Sequence, residues 1–389
     1  MLFEKFKSEV EKKLNSHLSK VHKASISGKI IGNGRNILYP NMLIFTQCEG
    51  YFIAELIGAT DIFNGLSIKT CKEKSIYKYL SQFEDSISDK GIHIDTSGVR
   101  FNSICFSRNG DVNKMKERFP SLHLYKTVLY SPDGIGSPIS FGPNFESCAI
   151  ENSAILNNKS SQYRCKDIQT MYIFSNKITQ EKLTFTLDHF LNTVEVRCVR
   201  GFQDEFYEMV TIAGQLQNMY YFPRLHETSI GEFLKLHPKV VMQAFGSSRV
   251  EYEPHLKWVE RDASCDDDAI NPDLLVQRAD GYFDIYDLKT ALLTKKSITK
   301  GERKRRRFID YVSDGIAQLA NYSEYFSYPQ NAKLAKEKYG IEVKDPKLVL
   351  VVGDWDNSCQ EKITQALRAY KNIEVIDYDT LCKLFIRNN

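Results

Sequence analysis

The first twenty positions, MLFEKFKSEVEKKLNSHLSK, set Leu2, Phe3, Phe6, Val10, Leu14 and Leu18 at helical spacing with lysines and glutamates between them. That periodicity predicts an amphipathic helix with one apolar stripe, suited to packing or to a subunit contact. From about residue 25 to 202 the texture changes. Short β-branched and aromatic runs broken by Gly, Asn, Asp and Pro predict strands in KIIGNGRNILYP, NMLIFTQCEGYFIAELI, VRFNSICFSRNGDV, LHLYKTVLYSPDG, LTFTLDHF and TVEVRCVRGF, with one helix in SIYKYLSQFEDSIS. Helical spacing returns at 204–221 through Phe206, Val210, Ala213, Leu216 and Tyr220, a helix joining two halves. From 222 onward helices alternate with strands, the pattern of an α/β core. The expected organisation is therefore a β-rich α+β N-terminal region over 1–203, a connecting helix over 204–221, and an α/β domain over 222–389.

Bulk properties narrow this picture only slightly. A net charge of +3 over 389 residues gives no strong global attraction to a polyanion, so any nucleic-acid argument must be local. The nine cysteines form no CxxC pair and have no histidine at zinc spacing, which argues against a zinc site and for reduced thiols. No run approaches the roughly 18 apolar residues of a membrane span, and the first residues carry no apolar segment of a secretion signal. The expectation is a cytoplasmic protein with no membrane partner.

Chemistry concentrates in NPDLLVQRADGYFDIYDLKTA, residues 271–291. Two apolar runs flank Ala-Asp-Gly, a hairpin signal. A three-residue loop of Ala279, Asp280 and Gly281, with Gly281 left-handed, pairs Arg278 with Tyr282 and sets Asp273 opposite Asp287 on one face. Lys289, two residues on, points the same way because strand side chains alternate. A two-residue Asp-Gly loop would put the aspartates on opposite faces. Two carboxylates and a lysine so arranged suit phosphodiester hydrolysis: Asp273, Asp287 and the Leu288 carbonyl would hold Mg²⁺, with Mn²⁺ as a substitute, and Lys289 would orient the nucleophile or stabilise the pentavalent state. An isolated Asp-x-Lys is more often a surface ion pair. Its setting in this hairpin and the segments around it favour the functional reading.

Downstream, FIDYVSDGIAQLANYSEYF predicts a helix with Ile309, Val312, Ile316 and Leu319 as its core stripe. Gln318 and Tyr322, four apart, share an adjacent stripe with Tyr311 and Gly315. Gln318 is expected at the site and Tyr322 against DNA. Between hairpin and helix, KKSITKGERKRRR carries eight basic residues against Glu302. Lys300, Arg303, Lys304, Arg305, Arg306 and Arg307 are the candidate DNA-backbone clamp, and a solvated loop is the plainer alternative. Upstream, Ser229 and Glu232 have capping-box spacing, which makes Glu232 structural and leaves Glu227 as an additional acid.

The series Pro272-Asp273, Asp287-Leu288-Lys289, Gln318 and Tyr322 resembles the PD-(D/E)xK nuclease superfamily, in its branch with a trailing QxxxY helix. Residues from about 222 to 389 are more closely similar to the catalytic domain of the Shedu antiphage defence family, through ETSIGEFLKLHP, NPDLLV leading to YDLKTA, and LVLVVGDW followed by EVIDYDTLCKLF. The resemblance implies a restriction-endonuclease-like fold, with a central mixed sheet flanked by helices, and a Mg²⁺-dependent DNA endonuclease of bacterial antiviral defence. It implies Asp273 and Asp287 as metal ligands, Lys289 as the catalytic lysine, Gln318 as an accessory residue, and a first-helix acid at Glu227 or Glu232. It also favours a homo-oligomer, with an N-terminal domain that recognises a DNA feature or a phage-derived trigger. A restriction or repair nuclease of the same superfamily, and a DNA-binding protein that does not cut, are the alternatives.

Overall fold

The computed structural model describes residues 1–30, 36–81, 103–105, 112–124, 127–130, 144–159, 162–192, 196–202, 204–222, 225–261 and 267–387. Part of the run KIIGNGRNILYP, around Gly32–Gly34, and the later part of the helix expected from Ser75 onward fall outside them. The chain divides into two compact units, Met1–Arg224 and Leu225–Asn389.

In the first unit the opening helix runs Phe3–Ile26. Phe6, Val10, Leu14, Leu18 and Val21 are buried in one core with Phe45, Phe52 and Phe174. The apolar stripe is thus used within the chain, which removes it as a ground for a subunit contact. A seven-stranded sheet takes the order Ser67–Lys72, Met42–Cys48, Tyr51–Ile57, Gln162–Ser175, Ser147–Lys159, Ser103–Cys105, Thr127–Tyr130. Its longest pair, Ser147–Lys159 with Gln162–Ser175, is too polar to stand out as a strand pattern, because its buried neighbours include charged residues. Lys166 pairs with Glu55 at 2.8 Å and Arg200 with Asp167 at 2.7 Å, all of them buried. The helix expected to join the halves is Glu205–Tyr220. It packs against Asp167, Gln215 Nε2 donating to Asp167 Oδ2 at 3.0 Å and the Asp167 N–H donating to Asn218 Oδ1 at 3.0 Å.

Two expectations fail here. LTFTLDHF is not a strand: it lies in the helix Gln180–Asn192. The β-favouring Thr and Phe mask the four-residue spacing of Leu183, Leu187 and Leu191, and burial of that stripe decides the outcome. In TVEVRCVRGF the described strand is only Arg200–Phe202, paired antiparallel with Asn36–Leu38.

The second unit is an α/β layer structure. Its sheet strands are β1 (Val250–Tyr252), β2 (Leu274–Gln277), β3 (Phe283–Leu288), β4 (Leu348–Val351) and β5 (Ile373–Ile376), in that spatial order. The first three are antiparallel neighbours, and β4 and β5 continue parallel to β3, so the sheet is mixed. The helices are α1 (Glu227–Leu236), α2 (Pro238–Phe245), α3 (Asp310–Ser327), α4 (Pro329–Tyr339), α5 (Gln360–Ala366) and α6 (Tyr378–Arg387). Every residue of β3 is buried, as both faces of a central strand are covered. Phe283 and Ile285 face α3 in a core with Val312, Ile316, Leu319 and Leu350. On the opposite face Tyr286 meets Phe245 of α2, which packs with α6. Alternation then carries Asp287 to the α3 side. Among the described residues no helix is long and apolar enough to cross a membrane.

Candidate active site

The hairpin of β2 and β3 sets the site. The Arg278 N–H donates to the Tyr282 carbonyl at 2.7 Å, and the Gly281 N–H donates to the Arg278 carbonyl at 3.0 Å. Gly281 has φ +90°, which glycine adopts without strain, so the turn holds three residues. Leu274 pairs with Tyr286 and Gln277 with Phe283, and one step further along this register Asp273 lies opposite Asp287. The Leu288 N–H reaches across to Asp273 Oδ2 at 2.6 Å, fixing that carboxylate on the neighbouring strand's backbone.

A cavity of about 200 Å³ opens at this end of the hairpin, lined by Glu227, Glu253, Asp273, Asp287, Lys289 and Gln318 among others. The Asp287 side chain is 1 % exposed. Its Oδ1 has no hydrogen-bond partner among the described residues, and its Oδ2 faces the Lys289 ammonium at 2.6 Å. The ammonium also donates to Gln318 Oε1 at 3.0 Å. The Gln318 amide in turn donates to the Tyr322 hydroxyl, which donates to the Asn271 carbonyl at 3.3 Å. Helix α3 comes this close to the sheet because residue 315 is glycine: a Cβ there would stand 2.9 Å from Leu350 Cδ1 and 3.2 Å from Lys289 Cε.

Electrostatics follow from crowding acids in a half-closed space. Burial, and then the charge of Asp273, push the Asp287 carboxyl up to about 7. Burial raises Asp273 as well, against the pull of the Leu288 N–H and of Lys289. For Lys289 burial pulls downward, but the contact with Asp287 and the surrounding carboxylates outweigh it and hold the ammonium above its ordinary value. Such a pair is poised to accept a cation.

The structure brings Asp273, Asp287, Leu288, Lys289, Gln318 and Glu227 together in this cavity. Glu227 opens α1 and lines the cavity, whereas Glu232 is exposed. The expected capping box does not form, because the helix starts before Ser229, which is a buried interior position behind the N-cap His226. Tyr322, expected against DNA, is 5 % exposed, with its hydroxyl engaged by the Gln318 amide and the Asn271 carbonyl. The basic segment forms a ribbon, Thr299–Lys300 against Arg307–Phe308, with Arg303–Arg305 as the turn. Lys300 pairs with Asp310, and Arg306 Nε donates to Gln365 Oε1 at 3.0 Å; Arg303, Lys304, Arg305 and Arg307 are exposed.

Sequence reasoning gave three residues no role here. Tyr311 donates to Glu227 Oε2 at 3.1 Å. Tyr378 donates to the Lys289 carbonyl at 2.6 Å, fixing the backbone just past β3. Glu253 follows β1, and its N–H donates to the Asp273 carbonyl at 3.1 Å. Only Tyr311 carried a signal, since it shares the Gln318 stripe.

Among the described residues no three Asp, Glu, His or Cys side chains converge closely enough to hold an ion by themselves. The donor set nonetheless fits a hard divalent cation: two opposed carboxylates, Asp287 buried with an orphaned oxygen and Asp273 half-buried, beside a main-chain carbonyl. Mg²⁺ commonly takes only one or two protein carboxylates and fills its other positions with water and substrate. Compared with known proteins, residues 203–382 match the family model described as Shedu protein SduA, C-terminal. No curated protein matches the chain.

Proposed function

We propose, from the match of residues 203–382 to the Shedu protein SduA C-terminal family model, that the chain acts in antiphage defence and that its second unit is a Mg²⁺-dependent DNA endonuclease with a PD-(D/E)xK core. The observation that carries the reading is the opposition of Asp273 and Asp287 with Lys289 on the same face, at the rim of a polar cavity. Asp273 and Asp287, with the Leu288 carbonyl and Glu227 beside them, would hold the ion. When bound, the cation supplies Lewis acidity and charge neutralisation at the scissile phosphate.

The chain's own groups do the rest. Lys289, held by Gln318, presents a fixed positive charge at the cavity, where it stabilises negative charge developing on the phosphoryl oxygens. Gln318 is in turn fixed by Tyr322, which limits the directions the lysine can take. Glu227, braced by Tyr311, offers a further carboxylate for positioning water. In the reaction, water adds to phosphorus, one P–O ester bond breaks, and the departing alkoxide is protonated.

The test is incubation of the purified full chain with supercoiled plasmid, linear DNA and RNA, with and without Mg²⁺ or Mn²⁺, beside Asp287→Ala. Metal-dependent cutting of DNA by the wild type alone is expected. Identical behaviour of the two proteins would overturn the nuclease reading, and cutting of RNA alone would reassign the substrate.

A further inference from the structure

The cavity wraps the end of the sheet and has a second side, away from Asp287. Tyr252 of β1 pairs with Leu274, and Leu274 with Tyr286, so Tyr252 stands on the face opposite Asp273 and Asp287. Helix α1 covers the same face, since a Cβ on Gly231 would lie 4.0 Å from Leu288 Cδ1, and Leu288 shares its side of β3 with Tyr286. Here the cavity is lined by Tyr252 and by Thr228, Gly231 and Lys235. The last three recur at intervals of three and four residues, so they form one stripe of α1 turned toward the cavity.

Three features of this side are not explained by the fold alone. Lys235 is exposed, and although four carboxylates line the same cavity, its ammonium is within ion-pair distance of no acid among the described residues. The Tyr252 hydroxyl is enclosed and has no hydrogen-bond partner among the described residues, although a buried hydroxyl is ordinarily paired. Burial holds its proton in place, which makes it a donor. Gly231 stands inside a ten-residue helix, where only proline is a poorer choice. Packing does not require it. The Cβ contact with Leu288 would be an ordinary one, unlike that at Gly315, where a Cβ would press on Leu350 Cδ1 at 2.9 Å. The bare backbone at 231 instead leaves the cavity wall open between Thr228 and Lys235.

We infer that this side of the cavity is a second phosphate subsite, in which Lys235 and the Tyr252 hydroxyl donate to the oxygens of a phosphate flanking the scissile one while the strand passes over Gly231. The inference rests on the nuclease reading and adds a substrate requirement to it: a polynucleotide strand that continues past the cut and is held by its backbone, not its bases. The lysine supplies a point charge and the hydroxyl a directed bond, which together fix the strand's position without reading its sequence. Lys289 cannot take this part, because its ammonium is already committed to Asp287 and Gln318.

The probe is a short labelled DNA duplex, titrated into the full chain with a chelator present so that nothing is cut. Anisotropy is read over a series of salt concentrations, and each variant is also melted. Lys235→Gln should weaken binding several-fold and reduce the slope of log affinity against log salt by about one, the mark of one lost phosphate contact, with Lys235→Arg restoring most of both. Tyr252→Phe and Gly231→Ala should each weaken binding several-fold without lowering the melting temperature, since the first removes an orphaned hydroxyl and the second improves the helix. A merely structural role gives the reverse, a shifted melt with unchanged binding. An unchanged salt slope in Lys235→Gln, or unchanged affinity in Gly231→Ala, would overturn the inference. Failure of the wild type to cut any nucleic acid in Mg²⁺, with these binding losses intact, would count against the nuclease reading and not against the subsite.

Discussion

Replacing Asp287 by asparagine should stabilise the C-terminal unit, and the gain should grow with pH. The Asp287 carboxyl is pushed up to about 7 by burial and by Asp273. A group whose folded-state pKa lies above its unfolded value holds its proton more tightly in the folded chain. Stability is then greatest in acid, falls as pH rises from the unfolded value toward about 7, and stays at the lower level beyond. At roughly 1.4 kcal/mol per pH unit, the wild type loses about 2 kcal/mol between about pH 5.5 and about pH 8.5. Asparagine carries no such penalty. The ion pair with Lys289 forms only where Asp287 is ionised, and its favourable pull is already contained in the net upward shift of Asp287. For a unit of this size the extra gain on the alkaline side corresponds to about 4–8 °C in melting temperature. Both tryptophans, Trp258 and Trp355, lie in the second unit, so thermal melts followed by intrinsic fluorescence report it selectively. Mg²⁺ should raise the wild-type transition on the alkaline side, raise it much less in acid, and leave Asp287→Asn nearly unmoved. Wild-type and variant profiles that run parallel across pH would refute the assignment of Asp287 as the penalised group, and an equal Mg²⁺ shift in both proteins would refute its part in metal binding.

Other expected outcomes bear on single links of the argument. Lys289→Met should lower the cleavage rate by about a hundredfold or more while changing DNA affinity little, read by single-turnover digestion beside anisotropy, because a group acting on developing charge affects the transition state more than the ground state. Tyr322→Phe should slow cleavage several-fold without weakening DNA binding; a large loss of affinity would show that this buried hydroxyl does meet DNA after all. Simultaneous Arg303→Ala, Lys304→Ala and Arg305→Ala should reduce the slope of log affinity against log salt by roughly 2 to 3 on duplex DNA, and an unchanged slope would make the ribbon a solvated turn. In the first unit, Leu187→Ala should cost about 2–5 kcal/mol in urea melts followed by circular dichroism, as expected for a buried helix position and not for an exposed strand residue.

What could be read in the sequence depended on whether a pattern was local. The β2–β3 hairpin was legible because turn length and strand alternation are both properties of consecutive residues, and together they determine which acids face one another. Gln318 was legible because helical spacing puts it beside Gly315, the one position that lets α3 approach Lys289. The Gln180–Asn192 helix was misread because Thr and Phe favour strands, and the burial that overrides them comes from distant residues such as Phe6 and Phe174. The long polar hairpin of the first unit was invisible for a related reason: Lys166 and Asp167 are tolerated inside only because Glu55 and Arg200, far away in sequence, neutralise them. Glu227 was set apart from Glu232 on a capping box that does not form, because the true start of α1 at Glu227 depends on the fold around it.

The Ala279–Gly281 turn carries one last implication, for how this protein tolerates indels. Exposed hairpin tips are ordinarily where chains accept insertions and deletions most freely, because little packing is disturbed there. Here the count of residues in the tip sets the phase of two strands whose far ends hold the chemistry. Loss of Ala279 would leave two ways to close the hairpin, and a two-residue Asp-Gly turn would keep Arg278 beside Tyr282 and the two acids opposed. If instead the turn stayed three residues long by drawing in Arg278, Gln277 would pair with Tyr282, and Asp273 would fall opposite Tyr286 and on the other face from Asp287. The length of a surface turn is then as much a part of the catalytic specification as any acid in the cavity, and a scan that only substitutes residues would never find it.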